Sequence, residues 1–195
     1  TKLLPAVVQA SPSGEVQGRK RLQKIIHLLK LSGASVEADH YLLHYGPFSD
    51  EVASTTEDLV HQGTLAEDLE VVGAYKTYQY VYRLGEYAPT SYPLGKIEKE
   101  LVAILGEFST VALEVASTIG FFQYMGESRE EAVSETKLLK PSKTSNESVM
   151  SSAVKILSLL EETEKKRTAS AETSIPWLAQ PIVSRKSTDC QSKTH

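Results

Sequence analysis

The sequence predicts an α+β protein, mostly helical, and three observations carry that prediction. Apolar residues recur at helical spacing in residues 19–31, 49–63 and four further stretches between 94 and 162. Tyrosines alternate with other side chains in TYQYVYRL, the two-residue period of a strand. Glycine and proline punctuate the boundaries between these runs. The 195 residues are 41 % hydrophobic and 24 % charged, an ordinary globular balance.

Residues 1–17, with two prolines and a Ser-Pro-Ser-Gly turn, show no sustained period and read as an N-terminal arm whose Leu3, Leu4, Val7 and Val8 dock on the body. The first sustained helical pattern covers 19–31: Leu22, Ile25, Ile26 and Leu29 fall at i, i+3, i+4 and i+7, and Gly33 stops it. Its first turns carry Arg19, Lys20, Arg21 and Lys24, which oppose the helix dipole. That cluster reads either as a solvated helix end or as a patch for phosphate or an acidic partner. HYLLHY, residues 40–45, reads as a short strand, with Gly46-Pro47 forcing the turn after it. Ser49 suits an N-cap for a helix over 49–63, with Asp50 and Glu51 in its first turn and Gly63 at its end. Residues 65–84, interrupted at Gly73, read as a β-hairpin.

A proline-bounded linker, 88–93, leads into a helical half. Ile97, Leu101, Ile104 and Leu105 form one stripe. VALEVASTIGFFQY, 111–124, holds one acid, Glu114, and no base, so it belongs in a core. Ser128 with Glu131 is a capping-box pattern opening a helix that Pro141 closes, and 146–162 form a fourth helix. Residues 163–195 are polar, net basic and without period, which predicts a disordered tail. The apolar island IPWLAQPIV, 175–183, reads as a docking segment or a short partner motif.

The domain organisation is therefore an arm at 1–17, a module at 18–87, a helical extension at 94–162 packed on it, and the tail. Helix, strand, helix and two-stranded wing is the element order of a winged-helix module. RLQKIIHLLK, the strand into HYGPFSDEV, and EDLVHQGTL before an aromatic hairpin resemble the winged-helix-like proteins of the YwgA and Panacea (SocA-like antitoxin) type. LEVASTIGFF, GESREEAVSETKLLKP and a closing helix extend the resemblance over residues 19–162. It implies a regulatory or interaction domain, with antitoxin-like protein binding in the Panacea branch; the YwgA branch transfers a fold more than a function.

Three function classes compete. A winged helix that reads DNA needs basic or amide side chains on the helix before the wing. Here that helix carries Asp50, Glu51, Glu57 and Asp58 and no Lys or Arg, and the wing adds only Lys76 and Arg83. The net charge of −4 also disfavours a polyanion. DNA binding is thus the alternative, with Arg19, Lys20 and Lys24 as the best polyanion contacts. Enzyme chemistry finds no organised residues. His40 and His44 sit about 13 Å apart if they flank a strand, and no nucleophile elbow, dinucleotide fingerprint or phosphate loop is present. Asp39 beside His40 reads as surface rather than a dyad. The single cysteine, Cys190, lies in the tail, so no disulfide or cysteine zinc site is expected, and neither is a cofactor. The expected function is a non-catalytic, cytoplasmic regulatory and protein-interaction module, without a membrane segment. Its partner is another protein or a second copy, met by Glu57 and Asp58 and by Tyr78 and Tyr80, from a cluster that also includes Tyr75, Tyr82 and Tyr87. Gly46 and Pro47 are expected to be structural.

Overall fold

The computed structural model describes residues 3–72 and 76–173. The chain is α+β and mostly helical, as expected, with eight α-helices and five strands among the described residues. Gly73, Tyr75, the 175–183 island and Cys190 lie outside those residues.

The N-terminal arm docks on the body as expected, but it is regular structure rather than an aperiodic segment. Leu3–Ala10 is a helix, α1, and Glu15–Gln17 is a strand, β1. Val7 and Val8 are fully buried and Leu4 nearly so, because an eight-residue amphipathic helix can place all three into the core at once. After β1 comes α2, Arg19–Leu31. It ends as expected: Gly33 sits at φ 79°, its N–H bonds Lys30 O and that of Ala34 bonds Leu29 O, the pairing of a Schellman motif.

The next turn falls earlier than expected. Strand β2, Tyr41–Leu43, pairs antiparallel with β3, Gly46–Phe48, and His44-Tyr45 make the connection. Gly46 and Pro47 are therefore strand residues. Helix α3, Asp50–His61, follows with Ser49 Oγ accepting from Val52 N–H, and it buries Val52, Thr56 and Leu59. Strands β4, Leu65–Val72, and β5, Thr77–Leu84, form the expected hairpin. β1 joins its far side, giving the sheet order β1-β5-β4. Arg83 on β5 clamps all three strands, 2.7 Å from Glu15, 3.1 Å from Asp68 and 2.7 Å from Glu70.

The second half consists of α4, Lys96–Glu107; α5, Thr110–Tyr124; α6, Arg129–Leu139; a single turn α7, Pro141–Thr144; and α8, Glu147–Thr173. The capping box of Ser128 and Glu131 is formed in full. α8 overruns the expected end at residue 162, so the tail is corrected over 163–173: Thr163 is buried and Arg167 pairs with Glu98 of α4, which gives the extra turns something to hold. α5 is the central post, packed on α2, α6 and α8. One apolar core runs from Leu4 and Val7 through Leu22, Ile25 and Leu113 to Ile156 and Leu160, so the two expected halves share a single interior. No described helix is long and apolar enough to cross a membrane.

Candidate functional site

The strongest site is a cleft of about 350 Å³ beside the first turns of α2. Leu22 of α2, Phe48 of β3, Val52 of α3 and Tyr82 of β5 supply apolar wall, and Arg19, Lys20, Lys24 and Glu57 supply charge. Four of the seven residues singled out from sequence, three on α2 and Glu57 on α3, thus line one cleft.

Their states differ from expectation. Arg19 is bidentate to Glu67, 2.9 Å at its nearest, also donates to Tyr82 Oη at 3.2 Å, and lies 4.0 Å over the Tyr80 ring. Its hydrogen bonds to Glu67 hold its own ionisation well above the usual range. Burial pushes the Glu67 carboxyl up, but the bonds from Arg19 and Tyr82 outweigh it and leave that carboxyl below its usual range. Lys24 is corrected as a polyanion contact: its side chain is fully buried and donates to the Pro47 carbonyl. Burial pulls its ammonium down to about 7, against the opposing pull of Glu114. Arg21 turns the other way and donates to the carbonyls of Gly106 and Phe108, the latter at 2.7 Å, at the C-terminal end of α4. A cation there complements the helix dipole. The cluster of bases at the start of α2 is therefore neither a solvated helix end nor a continuous basic patch. Lys20 remains the accessible cation, its side chain 44 % exposed, 3.7 Å from Glu114 and 5.6 Å from the Tyr45 ring centre.

Behind the cleft lies a feature the sequence reading missed. Glu114, almost wholly buried on α5, accepts from Lys140 Nζ at 2.8 Å and Lys143 Nζ at 2.5 Å. Lys140 is itself buried and also donates to His44 O at 2.8 Å, fastening the start of α7 to the β2–β3 turn. Burial raises the Glu114 carboxyl, and the two lysine bonds more than reverse this. A lone acid in an apolar helix was the available signal; the identity of its partners was not.

Glu57 and Asp58 are exposed on α3 and make no ion pair among the described residues. Glu57 lines the cleft and Asp58 does not. On the wing, Leu69 stands opposite Tyr80 and Val71 opposite Tyr78, so the four share a face. Their exposures of 57, 36, 54 and 72 % make that face apolar and open. Arg19 links the two regions, standing in the cleft wall and over Tyr80.

His27 and His40 rings lie 4.6 Å apart, with His27 Nδ1 2.7 Å from Ser117 Oγ. Burial pushes both imidazoles down, His40 to about 4, so both are neutral near pH 7. Asp39 is fully exposed, 3.6 Å from Lys30. Among the described residues no three His, Cys, Asp or Glu side chains group closely enough to hold a metal ion.

The chain belongs to the YwgA-like family. It is 33 % identical over 116 residues to the uncharacterized protein YwgA of Bacillus subtilis (strain 168), a match covering 57 % of this chain and 69 % of that protein. No family model matches the chain. No solved structure matches it.

Proposed function

We propose that this protein is a non-catalytic regulatory module of winged-helix type, acting in the cytosol, that docks a basic protein segment carrying apolar side chains. The observation that carries the reading is the open face of Leu69, Val71, Tyr78 and Tyr80, bordered at Tyr80 by Arg19, which shares the cleft lining with the unpaired Glu57 of α3. Exposed apolar surface at a rim of uncompensated like charge suits a partner of the opposite sign. The winged-helix reading is supported by the succession α1, β1, α2, β2, β3, α3, β4, β5, in which β2 and β3 form a separate small hairpin, and by β1 closing the far edge of the wing. Antitoxin-like neutralisation of a partner, implied by the Panacea resemblance, is one form such docking takes.

DNA reading loses support on this geometry. Lys24 is buried, Arg19 and Arg83 are held by acids, Arg21 caps α4, and α3 is acidic. The test places a photo-crosslinking side chain at Tyr78 in cells, with Leu138, 76 % exposed on α6, as the control position. The expected product is a protein crosslinked through a net-basic segment at Tyr78 alone and lost in Leu69→Glu and in Glu57→Lys/Asp58→Lys. A crosslinked homodimer, an acidic segment, or equal capture at Leu138 overturns the reading. So does anisotropy with a labelled DNA duplex if binding falls steeply with salt, the mark of several phosphate contacts.

A further inference from the structure

The cleft beside α2 adjoins the open wing face at Arg19, and its chemistry differs. We propose that it binds a small amphipathic carboxylate, with the head group held at Lys20 and the apolar body against Leu22, Phe48 and Val52.

The size fits. A cavity of about 350 Å³ falls within the range of roughly 300–1,000 Å³ typical of ligand pockets, which are mostly apolar with a few placed polar groups. The charge fits as well. One buried carboxylate, Glu114, faces four lysines: Lys140 and Lys143 are hydrogen-bonded to it, Lys20 stands 3.7 Å away, and Lys24 is packed nearby, its ammonium 3.4 Å from the position a Cβ on Gly46 would take. Lys24 donates to one acceptor, the Pro47 carbonyl, where an ammonium has three donors. The cluster therefore holds more basic than acidic groups, with Lys24, Lys140 and Glu114 buried and Lys20 and Lys143 at its exposed edge, and an added anion relieves it. Lys20 is the cation free to take that anion. Its contact with Glu114 is long, its side chain is half-exposed, and Glu114 keeps Lys140 and Lys143 when Lys20 turns away.

The same charges argue for a single negative head group. Glu57 stands in the cleft wall, and Glu67 lies behind Arg19 and neutralises it. A phosphate dianion would meet both, whereas a carboxylate matches the one accessible ammonium and leaves the apolar wall for the rest of the ligand.

The test is an amide NMR titration of the full chain with sodium octanoate, with octylammonium and inorganic phosphate as comparison probes. Expected are saturable octanoate shifts at Leu22, Phe48 and Val52, and no saturable shift with either comparison probe. In Lys20→Gln, octanoate affinity falls at least ten-fold while the thermal midpoint of the free protein stays put. Lys20→Arg, which keeps the cation, retains binding. Octylammonium binding as tightly as octanoate overturns the proposal, as does phosphate saturating the same residues, or octanoate affinity unchanged in Lys20→Gln. None of these outcomes bears on the Tyr78 crosslink, so this inference and the docking reading fail separately.

Discussion

Glu114 and Lys24 both lie in the interior, and lysine hydrogen bonds keep the one ionised while burial works against the charge of the other. Glu114 accepts from two ammonium groups, so removing its charge strands Lys140 and Lys143. Breaking one side of a buried ion pair costs about 3–5 kcal/mol, and Glu114→Gln is expected to lower stability by that order in urea denaturation. Lys24 has a lowered pKa for a different reason, burial of its ammonium rather than a favourable ion pair. Its folded pKa of about 7 lies below the ordinary 10.5, so between those values the unfolded chain holds more protons than the folded one. Stability attributable to this group therefore rises with pH across that window. Lys24→Met removes the dependence: the variant's advantage is greatest near pH 7 and shrinks toward pH 10, by up to about 1.4 kcal/mol per pH unit, in denaturant midpoints taken across that range. Gly46 is constrained in another way. Its φ is 90°, and a Cβ there would meet Thr118 Oγ1 at 3.0 Å and Glu114 Cγ at 3.4 Å. Gly46→Ala combines a left-handed backbone with a tight contact, and a loss of about 1–3 kcal/mol is expected, read as a lower thermal midpoint.

At the scale of elements, helix ends do much of the joining. Arg21 reaches from α2 to the last carbonyls of α4. Arg21→Ala leaves Gly106 and Phe108 without that donor and costs about 1.5–3 kcal/mol, the usual worth of a charged hydrogen bond; Arg21→Lys, which lacks the planar fork, recovers only part of it. The check is a pair of equilibrium unfolding curves against the parent. Helix α1 contributes through its apolar face rather than through caps. Val7 and Val8 are fully buried, and β1 pairs three residues with β5, Glu15↔Arg83 to Gln17↔Val81. A chain lacking residues 1–17 exposes both the groove for α1 and the edge of β5, and it is expected to lose cooperative unfolding by circular dichroism.

For the molecule as a whole, the single core sets the folding unit. Ile25 and Leu29 of α2 share one cluster with Leu113, Ile119 and Ile156 of the helical half. Unfolding followed by far-UV circular dichroism and by tyrosine near-UV signal is expected to give coincident transitions, the sign of one cooperative unit. An excised 18–87 fragment, which leaves the α5-facing side of α2 in water, is expected to show no cooperative transition at all. The candidate surfaces divide differently from the folding unit. The open face lies on β4 and β5 and the cleft between α2, β3, α3 and β5, while the helical half supplies the buried Glu114 and Lys140 behind the cleft.

Local chemistry already determines a good part of this protein. The stripe Leu22, Ile25, Ile26, Leu29, the Ser49 and Ser128 caps, the stops at Gly33 and Gly63, and the alternating tyrosines each act within one or two turns or one strand, so α2, α3, α6 and the wing hairpin are legible in the sequence. Arg19, Lys20 and Glu57 are legible only as candidates for opposed roles, the first two toward a polyanion and the third toward a protein partner; that they wall one cleft comes from the packing of α2 against α3. Tertiary structure decided the remainder. Whether Leu4, Val7 and Val8 form an arm or a core helix depends on a groove built 90 residues later. Whether α8 stops near 162 or runs on depends on Arg167 finding Glu98. Whether Lys24 meets solvent or Pro47 depends on how β3 and α5 close over α2. These are encounters between side chains remote in sequence, and periodicity carries no information about them: it gives the direction a side chain takes from its own helix, while burial and charge state are settled by what packs against it.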